Sequence, residues 1–115
     1  MPVRLSAAEI DAIVESVRAV ISNDILESID LYGSRANRTA KGGDIDLWIF
    51  CSTEKDIDTK WIRSIRMKIQ QRIGEQKIDI VLSGPTHEIE DVRKKAFLEH
   101  ISSGRVNVWK KNNQP

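Results

Sequence analysis

The sequence predicts an α+β domain: a small mixed β-sheet with helices packed on one face. Three observations carry that expectation. Stretches whose apolar residues alternate with a period of two (residues 25–32, 44–50 and 77–82) are interleaved with stretches of helical period. Gly33, Gly74, the Gly84-Pro85 step and Gly104 stand where the pattern changes. A length of 115 residues suits one domain with a real core and leaves no room for a separate acceptor-binding module.

Each element follows from its own residues. Ser6 and Glu9 form a capping box, and Ile10, Ile13, Val14, Val17, Val20 and Ile21 recur at helical spacing, which predicts a helix over 7–22. Residues 25–32, "ILESIDLY", set Ile29 and Leu31 against Ser28, Asp30 and Tyr32 and read as a half-buried strand. In residues 44–50, Ile45, Leu47 and Ile49 point one way while Asp44, Asp46, Trp48 and Phe50 point the other. A second helix opens at Asp58 or Thr59, carries Trp61, Ile62, Ile65, Ile69 and Ile73 on one face, and stops at Gly74. "KIDIVL", 77–82, is the third strand, with Asp79 on its less apolar face. After the turn "SGPT", Thr86 followed by Glu88, Glu90 and Asp91 favours a helix start, with Ile89, Val92, Ala96, Phe97 and Ile101 as the buried stripe and Gly104 as the end. "RVNVWK" suits a short edge strand. The domain is expected over 1–110, with 111–115 a polar tail.

Bulk properties exclude several classes. No apolar run approaches the roughly 20 residues of a membrane span, and the N-terminus lacks the apolar stretch of a secretory signal, so a cytoplasmic protein is expected. The net charge of +1 gives no generic nucleic-acid surface. Cys51 is the single cysteine, which rules out an internal disulfide and a thiolate cluster and leaves it as a small hydrophobe at a strand end.

The chemistry concentrates around "LYGSRANRTAKGGDIDLWIF", residues 31–50. In a strand, residues two apart share a face with Cα atoms roughly 6.5–7 Å apart, so Asp44 and Asp46 can reach one ion between them. Clustered carboxylates repel without a cation, and hard oxygen ligands with open positions for phosphate oxygens suit Mg²⁺ better than zinc. Asp79 completes the set if its strand lies beside residues 44–50. Three carboxylates can hold two ions, the arrangement that serves in-line phosphoryl or nucleotidyl transfer. Gly33 lets the backbone approach a ligand closely, and Ser34 offers an anion site if it opens a helical turn. Arg35, Arg38 and Lys41 add positive charge where a triphosphate would lie.

A strand, Gly-Ser, a loop, Asp-hydrophobic-Asp and a later strand-borne Asp together resemble the nucleotidyltransferase superfamily that includes DNA polymerase β. The nearer likeness is to its small branch, the minimal nucleotidyltransferases (MNT). It runs from about Leu31 to Trp109, with "GSRANRTAKGGDIDL" similar to the family's opening and "KIDIVL" to its third acidic strand. Arg38 stands where the family usually has glycine, and the loop from Ser34 to Asp44 is one residue shorter than the commonest form.

The resemblance implies a nucleotidyltransferase fold and a transferase of the EC 2.7.7 type. Asp44, Asp46 and Asp79 would be catalytic and metal-binding, and Gly33, Ser34 and Arg35 would hold the nucleotide. Mg²⁺ would be the cofactor and ATP the nucleotide, with NMP moved to a hydroxyl of a partner protein. Members of this branch pair with a small helical HEPN protein in a hetero-oligomer, as the antitoxin of a toxin–antitoxin system, and no direct nucleic-acid binding is expected. The rival reading is a silent nucleotide-binding module that neutralises or scaffolds its partner by contact.

Other residues carry less. Trp48 and Phe50 continue the carboxylate face, where they could stack on a base, meet a partner, or pack beneath a loop or the C-terminal segment. His87 and His100 are expected at the surface, Arg93 to Lys95 as a solvated helix face, and Tyr32 as a packing residue.

Overall fold

The computed structural model describes residues 5–33 and 44–112. In chain order these form α1 (Ala7–Val20), β1 (Leu26–Tyr32), β2 (Ile45–Cys51), α2 (Lys60–Ile73), β3 (Ile78–Ser83), a 3₁₀ turn (Thr86–Glu88), α3 (Val92–Ile101) and β4 (Val106–Lys110). The four strands make one mixed sheet in the order β3-β2-β1-β4. β1 runs antiparallel to β2 and β4, whereas β2 and β3 are parallel. A parallel pair needs a crossover between its strands, and α2 supplies it.

Local chemistry sets the ends. The Ser6 hydroxyl accepts from the Glu9 amide at 3.1 Å and the Glu9 carboxylate accepts from the Ser6 amide at 2.9 Å, so the capping box forms as the sequence implies. α2 ends at Gly74, whose φ of +90° few other residues adopt. Arg66 donates to the Ile78 carbonyl and Gln70 to the Gln76 carbonyl, both at 3.0 Å, so α2 side chains hold the start of the edge strand β3.

The main core lies between one sheet face and α1 with α2. Ile29, Leu31, Ile45, Leu47, Ile49, Ile78 and Leu82 meet Ile13, Val17, Ile65 and Ile69 there, all buried. The opposite face carries Asp30, Tyr32, Asp46, Trp48, Phe50, Asp79 and Val81. α1 and α2 share one face, as expected, but α3 packs on the other, where the sequence pattern places all the helices on one face. Ile89, Leu98 and Ile101 pack against Trp48, Tyr32 and Val81 in a second apolar cluster.

The path into α3 departs from the expected helix start at Thr86. Thr86–Glu88 form a separate 3₁₀ turn, Ile89 is extended and buried, and α3 begins at Val92. Asp91 is the cap, accepting from the amides of Arg93 at 2.9 Å and Lys94 at 3.3 Å. Burying Ile89 against Trp48 forces the break, because its backbone must run extended to reach the sheet. The helix is rotated accordingly: Leu98 joins the buried stripe, while Val92 and Phe97 stay 76% and 41% exposed.

A polar clasp fixes this geometry. Glu54 accepts from the Gly84 amide at 2.7 Å and pairs with Lys94 at 2.7 Å, and its own amide donates to Glu88 at 2.9 Å. A Cβ on Gly84 would fall on the Thr53 carbonyl carbon at 2.5 Å and on the Glu54 backbone. Backbone atoms cannot swing aside as a side chain can, so Gly84→Ala is expected to destabilise the chain by about 1–3 kcal/mol in urea unfolding.

Candidate active site

Strand register assembles the site. Tyr32 of β1, Asp46 of β2 and Asp79 of β3 are direct neighbours across the sheet, one row on the face opposite the main core. The row sits at the C-terminal end of β1 and the N-terminal ends of β2 and β3. There the Ile45 amide donates to the Lys77 carbonyl at 3.0 Å and closes the β2–β3 ladder. Asp44 stands at the entrance to β2, its carboxylate 3.5 Å from the Lys77 ammonium.

The electrostatics of the row follow from crowding. Burial pushes the Asp46 carboxyl up to about 6, and the charges of Asp79 and Asp44 and a hydrogen bond with Asp79 add to the effect, against a small opposing pull from Lys77. Tyr32 is driven up to about 12 by burial and by the charges of Asp46 and Asp79, so its phenol stays neutral. Its ring meets Phe97 of α3 edge-on, with centroids 6.3 Å apart.

Gly33 closes the row from above. Its φ is +70°, and a Cβ there would collide with the Asp46 carboxylate. The backbone at Gly33 therefore lies directly against Asp46, the close approach that the Gly-Ser step suggests. Ser34 and Arg35, with Arg38 and Lys41, lie outside the described residues.

The structure brings Asp46 and Asp79 together and sets Asp44 beside them on Lys77. Among the described residues no three acidic or histidine side chains already converge on one point. The donor set nonetheless suits a hard divalent cation, since it consists of carboxylate oxygens whose mutual repulsion raises Asp46 and which a cation would relieve. Asp46 and Asp79 would be its ligands here, and Asp44 would join them by exchanging the lysine for the metal.

Two contacts of this row depend on strand register and escape sequence reasoning. Tyr32 shares the alternation of Asp30, and it faces Asp46 only because β1 and β2 pair in this register. Lys77 precedes Asp79 by two residues, so its place on the acidic face is visible in the strand period, although its pairing with Asp44 is not. The remaining candidates resolve plainly. Trp48 is buried under α3 and donates its indole N–H to the Ser83 hydroxyl at 2.8 Å. Burial pushes the Cys51 thiol up to about 11, which denies it thiolate chemistry. His87 and His100 are exposed.

No protein-family model matches the sequence, and no curated protein does. Solved structures do match. The complex of a tri-AMPylated Shewanella oneidensis HEPN toxin with its MNT antitoxin aligns over 89% of this chain and 70% of that one, at 17% identity and a TM-score of 0.60. A toxin–antitoxin crystallised with AMP-PNP aligns over 88% and 73%, at 17% identity and a TM-score of 0.65. A putative nucleotidyltransferase from Sulfolobus solfataricus aligns over 95% and 93%, at 18% identity and a TM-score of 0.52. The chain has the nucleotidyltransferase fold. Within that fold, the Gly33 turn and the Asp46–Asp79 pair occupy adjoining strand ends of one sheet. Among the described residues no helix is long and apolar enough to cross a membrane.

Folding raises Asp46 above its ordinary 3.8, so the native state binds an extra proton between there and about pH 6. The contribution of Asp46 to stability is therefore fully present at low pH and lost as pH rises through about 6. In metal-free buffer Asp46→Asn is expected to melt a few degrees above the parent at about pH 8 and level with it at about pH 4, by calorimetry across the range. Gly33→Ala should leave the far-ultraviolet spectrum intact and displace the Asp46 carboxylate, read as lost cation binding in a Mn²⁺ titration.

Proposed function

We propose that the chain is a Mg²⁺-dependent nucleotidyltransferase that moves AMP from ATP to a hydroxyl of a partner protein. The observation that carries this reading is the Asp46–Asp79 pair, held across parallel strands directly behind the Gly33 turn in a nucleotidyltransferase fold.

The reaction balances on this geometry. The acceptor oxygen attacks the α-phosphorus, the new O–P bond forms as the bond from that phosphorus to the bridging β-oxygen breaks, and pyrophosphate leaves with the bond electrons. Asp79 positions the acceptor hydroxyl and takes its proton, while Asp46 and Asp44 hold the cation side of the site. When bound, Mg²⁺ would neutralise the triphosphate and lower the pKa of the attacking hydroxyl. Ser34 and Arg35 of the Gly-Ser turn would cradle the phosphates.

We take a partner to bring the acceptor, since the described residues form a single sheet with three helices and include no separate acceptor-binding element. The comparison complex of an MNT antitoxin with an AMPylated HEPN toxin supports a HEPN-type partner and an antitoxin role. Calorimetric titration of ATP into the chain should show binding with Mg²⁺, none with EDTA, and none in Asp46→Asn. With the partner present, Asp46→Asn and Asp79→Asn should each lower transfer of labelled AMP at least about 100-fold while both variants stay folded. If Asp46→Asn still suppressed the partner fully, neutralisation by contact would replace transfer as the function.

A further inference from the structure

A concavity lies on the carboxylate face, on the other flank of α3 from the acidic row. It holds about 770 Å³ and is separate from the acidic row, because none of Tyr32, Asp44, Asp46 or Asp79 lines it. Its size falls within the range of small-molecule sites. Leu98 and Trp48 close it toward the acidic end, and their packing with Ile101 and Tyr32 is the wall between the two sites.

The chemistry of the lining narrows the ligand. Phe50 is half-buried and lines the sheet side of the cavity, so a flat ring can lie against it, with the buried Leu98 of α3 in the same apolar lining. The inner end is rigid: Arg105 lies over the Trp48 ring at 4.6 Å and pairs at 3.6 Å with Asp30, whose side chain is only 10% exposed and also accepts from Asn107 at 2.8 Å. Lys111 is paired with Glu27 at 4.0 Å. The ammonium groups of Lys95 and Lys110 have no partner among the described residues, and neither has the Glu99 carboxylate on the same rim.

A half-buried aromatic ring, two uncommitted ammonium groups and a free carboxylate call for a ligand with a flat heterocycle, an anion and hydroxyl donors. We propose that this cavity is a second binding site, separate from the transfer site, for a nucleoside monophosphate. The base lies against Phe50, the phosphate meets Lys95 and Lys110, and the ribose hydroxyls donate to Glu99. A triphosphate fits worse, because its further negative charges would face Glu99, Glu27 and Asp30 with no ammonium left to meet them. The inference stands apart from the transfer reading, since it uses none of the transfer residues.

The test is calorimetric titration of AMP into the full chain, with adenosine and inorganic phosphate as separate arms. AMP is expected to bind the parent and Asp46→Asn alike. Binding should weaken at least about tenfold in Lys95→Glu with Lys110→Glu and recover in Lys95→Arg with Lys110→Arg, circular dichroism confirming the fold in each. Phe50→Leu should weaken AMP and adenosine together. Four outcomes would overturn the proposal: no AMP binding, loss of AMP binding in Asp46→Asn, indifference to the lysine exchange, or phosphate alone binding as tightly as AMP. Failure of the transfer site would appear separately, as absent Mg²⁺-dependent ATP binding.

Discussion

Parallel pairing of β2 with β3 is the constraint on which the rest of the site depends. It sets Asp46 beside Asp79, an arrangement that electrostatics alone would undo, since two carboxylates in one half-buried row repel. The opposite face of the same strands supplies the opposing force. Ile45, Leu47 and Ile49 on β2 and Ile78, Ile80 and Leu82 on β3 are all buried, and each contributes roughly 1.5–3 kcal/mol when fully removed from water. A slip of one residue would turn the β3 apolar set toward the acidic row and send Asp79 into the core. Packing on one side thus dictates the chemistry on the other.

Much of this was legible in the sequence because both patterns, period two and period 3.6, are unusually clean here. The alternation over residues 44–50 assigns Asp46 and Trp48 to one face without any knowledge of the fold, and the capping box and Gly74 fix helix ends locally. What sequence could not supply is which strands are neighbours. Tyr32 becomes a site residue only through the β1–β2 register, and Asp44 meets Lys77 only through the β2–β3 register. The α3 segment misled for a physical reason. Local capping favours a start at Thr86, but burial of Ile89 at the sheet is a tertiary gain that breaks the backbone there, shifts the cap to Asp91 and rotates Phe97 outward.

α3 then becomes the element that partitions the functional face. Its inner stripe, Leu98 and Ile101, seals Trp48 from water, and the Glu54–Lys94–Gly84 clasp holds its N-terminal half to the ends of β2 and β3. One flank reaches Tyr32 through Phe97, beside the carboxylates, and the other forms a wall of the cavity through Lys95, Leu98, Glu99 and Ser102. The acidic row and the cavity are therefore consequences of one helix laid across a sheet too wide for it to cover.

The same logic explains why the row is tolerable without a ligand. A carboxylate that is half-buried and crowded need not stay charged: Asp46 takes up a proton more readily than a free aspartate, and a hydrogen bond with Asp79 absorbs part of the repulsion. Asp44 is stabilised differently, by the Lys77 ammonium at the solvent edge. Both devices are displaceable, one by losing a proton and the other by swinging an exposed lysine. Neither is a structural bond like the Arg66–Ile78 contact that holds the neighbouring strand β3. Replaceable charge partners on the acidic face, set against fixed packing on the apolar face, are what a site needs if a cation is to enter and leave without unfolding the sheet that positions it.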